Sequence, residues 1–328
     1  MKKRINVLIL CLYDAAGIPS KLNFFLNYYP QYFKSDILYY SSHGYQYNLY
    51  NSIDDINIDI IKKKIEWADA FLFELVGLDH PAYRLYDLDF KRELHGKKVF
   101  FYSLCSPYIW DIDATLDFIV KHNVYVIPAF YEETRHYNNA VKQVYLPYPI
   151  LNKELLYYKN RDGKESRSIK LFHSPTNEML KNSHIFLKTA IELRKRHPNI
   201  ELIYNRGLTY RENMRSLSSA DIVYDEMWVM SLWGQSGIEA TALGKPVLVY
   251  LSEESQIYWQ KVCGTNVLPF VLCEPQNLKR KLIELIESEE LRKYYGERSK
   301  HWFWEHWSGE KTARRYYNAI CEMEPFKK

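Results

Sequence analysis

The sequence predicts two doubly wound α/β domains in one chain, on three observations. Short apolar runs recur between longer amphipathic stretches, and each run has the length and continuous apolarity of a strand buried on both faces of a parallel sheet. A polar, proline-flanked segment interrupts this alternation near the middle of the chain. The length, 328 residues, is what two domains of roughly 100–200 residues require.

In the first half the strands are expected at Asn6–Tyr13, Ile37–Tyr40, Ala70–Leu75, Lys98–Leu104, Val124–Ile127 and Gln143–Leu146. Helical periodicity places helices at Ser20–Phe33, Tyr83–His95 and Ala114–His122. The interrupting segment is Tyr148–Ser168, with Pro147 and Pro149 at its mouth and Asp162-Gly163 within it. In the second half the strands fall at Ile169–His173, Ile200–Tyr204, Ile222–Tyr224 and Pro246–Leu251, and the helices at Leu180–His197, Tyr210–Ser218, Gln235–Leu243 and Asn277–Ser288. The stretch from Glu289 to Met323 is helical and aromatic, carrying Trp302, Phe303, Trp304, Trp307, Tyr316 and Tyr317; it reads as terminal helix packed on the protein.

Composition narrows the function. No apolar stretch approaches the roughly 20 residues of a membrane-spanning helix, and Met1-Lys2-Lys3-Arg4 followed by Ile5–Tyr13 reads as a first buried strand rather than a secretory leader. Five cysteines, widely spaced and without a C-x-x-C, indicate neither a disulfide framework nor a zinc site, which fits a reducing compartment; the cytoplasm is the expected location. Residues 1–150 hold 16 basic and 17 acidic side chains and residues 151–328 hold 28 and 23. An excess this small suits a phosphate-bearing ligand and does not indicate nucleic acid. Asp14-Ala15-Ala16-Gly17-Ile18-Pro19 after the first strand lacks the G-x-G-x-x-G of a nicotinamide dehydrogenase. Asp87-Leu88-Asp89 and Asp111-Ile112-Asp113 have the form of a metal-binding D-x-D; the first is read as chance and Asp113 as a helix cap, so no metal is expected.

The chemistry concentrates between Ala220 and Val247. Within the segment Ala220–Glu226 the strand Ile222–Tyr224 leads through a small-residue turn, Gly234-Gln235-Ser236-Gly237, into a helix that ends at Gly244 before the next buried strand. Gly234, Ser236 and Gly237 would leave backbone N–H groups open at the positive end of the helix dipole, where an anion such as a diphosphate is the expected guest. Glu239 then stands close enough to accept hydrogen bonds from hydroxyls attached to that diphosphate, while Asp225 and Glu226 read as a polar loop edge.

Gly234–Gly244 followed by Lys245-Pro246-Val247, preceded by Ala220-Asp221-Ile222, resembles the donor-binding signature of family 4-like glycosyltransferases of the GT-B fold. The resemblance implies two Rossmann-like domains facing a cleft: an acceptor-side domain over 1–150, a donor domain over 151–307, and a helix at 308–328 crossing back to the first. It gives Glu239 the ribose of a nucleotide sugar, and Lys181, after His173-Ser174-Pro175-Thr176, the donor diphosphate. His173 is a second candidate there, with a satisfied structural histidine the equal alternative, and Arg206 stands as the replacement cation for an arginine that the family carries near Lys181. Asp14–Pro19 resembles the acceptor-side loop, which makes Asp14 a catalytic candidate. The family's second glutamate, eight residues before the ribose-binding one, is here Ser231, and Glu226 is the nearest upstream carboxylate; Asn182 replaces the usual glycine after the lysine. The activity implied is metal-independent, configuration-retaining sugar transfer from a UDP- or GDP-type donor to a glycan, lipid-linked or small-molecule acceptor. Peripheral contact with a membrane surface is left open. The alternatives are a non-catalytic nucleotide-sugar-binding protein and a sugar-nucleotide epimerase of the same fold.

Overall fold

The computed structural model describes residues 3–13, 18–41, 57–74, 90–103, 112–128, 131–134, 137, 139–150, 155, 157–158, 168–227 and 234–327. The chain divides into two compact units, Met1–Ile150 with Gly309–Lys328, and Leu151–Ser308. Among the described residues no helix is long and apolar enough to cross a membrane.

The first unit is built on a five-stranded parallel sheet: β1 (Ile5–Tyr13), β2 (Phe33–Ser41), β3 (Ala70–Glu74), β4 (Lys98–Ser103) and β5 (Tyr125–Pro128), in the order β2-β1-β3-β4-β5. β1 lies inside the sheet between β2 and β3, and Val7, Leu8, Ile9, Leu10 and Cys11 are all buried, which is why it reads as an unbroken apolar run. The helices are α1 (Ile18–Tyr28), α2 (Ile58–Trp67), α3 (Phe90–Glu93), α4 (Ile112–His122) and α5 (Tyr131–Thr134). α1 stops five residues short of the expected helix because Pro30 follows, and Phe33 opens β2 by pairing with Ile5. α2 was not read from the sequence; Asn57 caps it by accepting from the Asp59 N–H, and only Ile61 and Ile65 of its length are buried, a short apolar stripe. The strand expected at Gln143–Leu146 reduces to one parallel bridge between Gln143 and Val126.

The second unit repeats the plan with β6 (Ile169–His173), β7 (Ile200–Tyr204), β8 (Ile222–Glu226), β9 (Val247–Val249) and β10 (Val271–Leu272), all parallel, in the order β10-β9-β8-β6-β7. Its helices are α6 (Ser183–Arg194), α7 (Tyr210–Ser218), α8 (Gln235–Ala242), α9 (Glu253–Cys263), α10 (Leu278–Glu287) and α11 (Glu289–Trp302), which runs into a π-helical turn at Phe303–Trp307. Thr209 and Glu212 form a reciprocal capping box at the start of α7. The short edge strand β10 and helix α9 were not anticipated, although Ser252 caps α9 through the Ser255 N–H. Trp302, Phe303 and Trp307 bury their rings here, with Trp307 6.2 Å from Trp259.

The last helix, α12 (Gly309–Glu322), belongs to the first unit. Tyr316 donates to the carbonyl of Pro147 at 3.1 Å and Tyr317 to that of Lys3 at 3.0 Å. The Lys98 ammonium reaches the carbonyls of Cys321 and Met323, the favourable place for a cation at a helix C-terminus. Asn123 and His122 donate to the carbonyls of Pro325 and Lys327, and Phe326 stacks on the His122 ring inside the core.

α8 is held in place from behind by a backbone contact. Gly244 ends it in the left-handed region at φ 77°, and Gly296 of α11 lies against it so closely that a Cβ at 296 would stand 2.2 Å from the Gly244 carbonyl oxygen. Neither partner is a flexible side chain that can give way. Gly296→Ala is therefore expected to cost about 3 kcal/mol, the upper end of overpacking penalties, in urea denaturation of the whole chain; a loss below about 0.5 kcal/mol would show that α11 shifts freely.

Candidate functional site

Both sheets have strand order 2-1-3-4-5 counted within their units. In the second unit the chain leaves β6 towards β7 on one side and then returns past β6 to β8 on the other. The loops after β6 and β8 therefore diverge, and the crevice between their carboxyl ends is where open α/β sheets bind ligands. Lys181 lies after β6; Asp225 and Glu226 close β8; Gly234 begins α8.

These residues form one buried ionic assembly. The Lys181 ammonium is 2.9 Å from Asp225 Oδ1 and 3.2 Å from Glu226 Oε2, with both carboxylates almost fully buried. Burial alone would lower the lysine pKa, but the carboxylates of Asp225 and then Glu226 outweigh it and raise it. Lys181 is charged, and the three side chains together carry one net negative charge when both acids are ionised. Asp225 does more than pair with lysine: the N–H of Gly234 donates to its Oδ2 at 2.5 Å. The anion expected at the start of α8 is thus supplied by the protein, the Gly237 N–H expected to be open donates to the Gly234 carbonyl at 3.1 Å, and Asp225 is a buried acceptor rather than a loop edge.

The two glycines of the turn make this seat. A Cβ at Gly234 would lie 2.3 Å from Lys181 Nζ, and one at Gly237 would lie 2.5 Å from Asp225 Oδ2. Ser236, between them, is half-buried in the first turn of α8, and Glu239 is buried on the same helix. Thr241 returns its hydroxyl to the Gly237 carbonyl at 2.7 Å.

The loop that carries Lys181 is fixed from β8. The Tyr224 hydroxyl reaches the carbonyls of Lys181 and Asn182, at 3.0 and 3.2 Å, and Asn182 Nδ2 donates to the Met227 carbonyl. Asn182 has φ 48° and ψ 40°, the left-handed conformation that asparagine tolerates better than other side chains. Asparagine at this position keeps the left-handed backbone turn without a glycine. Asn177 accepts from the N–H groups of Met179 and Leu180 and shapes the approach to it.

His173 is part of this scaffold. It is 1% exposed, Nδ1 donates to the Tyr224 carbonyl at 3.1 Å, and Nε2 accepts from the Ser183 hydroxyl at 2.8 Å. Burial, with the Lys181 charge as the second cause, lowers its pKa to about 3. It is a neutral ring with both nitrogens engaged, packed edge-on against Tyr224 and Phe186, so it positions β8 and α6 and has no nitrogen left for a phosphate. Arg206, after β7, pairs with Glu178 at 3.2 Å and is largely exposed; Tyr204 also bonds Glu178. Asp14 and Ser231 lie outside the described residues, as do Asp87, Asp89 and Asp111.

Sequence reasoning gives Tyr224 no role, reads Asp225 as a loop edge and marks Asn182 only as a departure from glycine; the structure makes all three part of the site. The available signal was two adjacent acids ending a strand whose other residues are apolar, since charges buried at such a place need a cation.

No protein-family model matches the chain, and no curated protein matches it in sequence. Solved structures match it over nearly all of its length, and they define the class: it has the GT-B fold, two Rossmann-like domains in one chain. The chain is similar to HepE of Anabaena in complex with UDP and glucose, at 10% identity and a TM-score of 0.63, covering 98% of this chain and 100% of that one. A glycosyltransferase from Rickettsia africae is similar at 13% identity and a TM-score of 0.59, covering 98% and 99%. Sucrose-phosphate synthase from Thermosynechococcus elongatus is similar at 10% identity and a TM-score of 0.60, covering 97% and 99%.

The histidine makes a pH prediction. Its folded pKa of about 3 lies below the ordinary 6.5, so between those values the unfolded chain takes up a proton that the folded chain does not. Stability is expected to fall as pH drops through this window, with a slope approaching 1.4 kcal/mol per pH unit from this group, about one proton's worth. Denaturation midpoints of wild type and His173→Gln across that range should diverge, the variant showing the shallower acid loss; parallel curves would contradict a neutral buried imidazole.

Proposed function

We propose that this protein is a glycosyltransferase that moves a sugar from a nucleoside-diphosphate sugar to an acceptor hydroxyl. The observation that carries the reading is that Lys181 stands against the start of α8, the helix that also carries Glu239, on one unit whose topology opens a crevice between β6 and β8. The likeness in fold to HepE, whose structure holds UDP and glucose, supports it.

In this reading Glu239 binds the ribose hydroxyls. Lys181 and the N–H groups at the start of α8 stabilise the diphosphate as it departs, which is the charge that develops in the reaction. The bond from the anomeric carbon to the phosphate oxygen breaks, the acceptor oxygen bonds to that carbon from the same face, and its proton passes to the departing phosphate oxygen. Configuration is retained and no metal is required. The donor is of UDP or GDP type; the acceptor is a glycan, a lipid-linked sugar or a small molecule, and the setting is cytoplasmic.

Calorimetry with a panel of nucleoside diphosphates and nucleotide sugars tests this directly. One diphosphate is expected to bind, unchanged by EDTA, and to weaken by roughly tenfold to a hundredfold in Glu239→Ala, the range for losing hydrogen bonds to a charged group. Absence of binding by every nucleotide would overturn the proposal. Binding with neither transfer nor donor hydrolysis would favour the non-catalytic reading.

A further inference from the structure

The donors that a phosphate needs at this site are already holding a carboxylate. Asp225 is 3% exposed; its Oδ1 takes the Lys181 ammonium at 2.9 Å and its Oδ2 takes the Gly234 N–H at 2.5 Å. Gly237 is the third wall, since a Cβ there would stand 2.5 Å from Oδ2. The carboxylate therefore sits over the first turn of α8, on the helix dipole and against the cation. Glu226 pairs with the same ammonium at 3.2 Å. A phosphate entering beside this assembly would meet two acids and one base, and its oxygens would compete for donors that are in use.

We infer that Asp225 is a specificity-determining residue: its carboxylate competes with the donor's phosphate for Lys181 and for the Gly234 N–H, and phosphate binding displaces it. The inference rests on the reading of the site given under Proposed function. Two consequences follow from the charges. Glu226 keeps Lys181 paired after Asp225 leaves, so the lysine does not swing into solvent. Affinity for the phosphate part of any ligand is held down by the like charge, whereas affinity for the nucleoside part is untouched.

The experiment uses the full chain and its Asp225→Asn and Asp225→Ala variants, titrated calorimetrically with inorganic pyrophosphate, UDP, GDP, uridine and guanosine. Asparagine keeps an oxygen for the Gly234 N–H and removes the charge; alanine removes both. Pyrophosphate and the diphosphate that the wild type prefers are expected to bind Asp225→Asn at least about fivefold more tightly, as relief of like-charge juxtaposition dictates, with nucleoside binding unchanged. Unchanged or weaker diphosphate binding in both folded variants, with wild-type binding intact, overturns the inference and leaves the glycosyltransferase reading standing. No diphosphate binding by any of the three proteins overturns both. A readout that needs no variant is a crystal structure of the wild type with its preferred diphosphate. Phosphate oxygens on Lys181 Nζ and Gly234 N, with Asp225 turned away, are expected; Asp225 still on Gly234 N overturns the inference.

Discussion

The ammonium of Lys181 sits between two carboxylates that could not otherwise be buried where β8 ends. Asp225 and Glu226 are adjacent and nearly inaccessible, and a lone buried acid would bear a desolvation penalty of several kcal/mol. Pairing offsets that penalty only with good geometry, and the surroundings impose it. Tyr224 fixes the backbone that carries the lysine, His173 fixes β6 against β8, and the glycine turn lets α8 start directly over the Asp225 carboxylate. Losing the lysine would leave two adjacent buried acids without their cation, and removing one partner of a buried pair costs about 3–5 kcal/mol in comparable cases.

Much of this architecture was legible because parallel strands buried on both faces are written as continuous apolar runs. β6 and β7 have the bounds that their runs suggest, and α7 lies where its periodicity puts it. Elements with weak patterns were not legible. β10 has two residues and one exposed face, and α2 buries only two isoleucines. The strand read at Gln143–Leu146 failed for a different reason: its apolar residues pack, but Pro147 and Pro149 close the segment and only one bridge forms.

The site was legible in its parts and not in its wiring. The glycine turn and Glu239 can be picked out from local spacing, and Lys181 by resemblance to a family's donor-binding pattern, because each depends on its own neighbours. The partners of Asp225 cannot, since they come from positions 44 residues before it and nine after it. The same holds for Gly296, whose need for a missing side chain is created by a carbonyl on another element. His173 shows the opposite case, in which a polar residue at a strand end invites a ligand role and tertiary contacts absorb it.

The closure of the first unit by α12 has a consequence for the order of folding. Tyr317 bonds to the carbonyl of Lys3 across 314 positions of sequence, and Phe326 completes a core begun by β1. A growing chain emerging at about 5–20 residues per second holds all of residues 151–308 before it holds any of α12. The second unit, contiguous in sequence, has its whole core in hand first, while the first unit waits with an apolar groove uncovered. Docking of α12 closes a loop of 314 positions, where the entropic cost grows only logarithmically with length. The delay, and the surface left open during it, make the interval before α12 docks the stage at which this protein is most exposed to association with other chains.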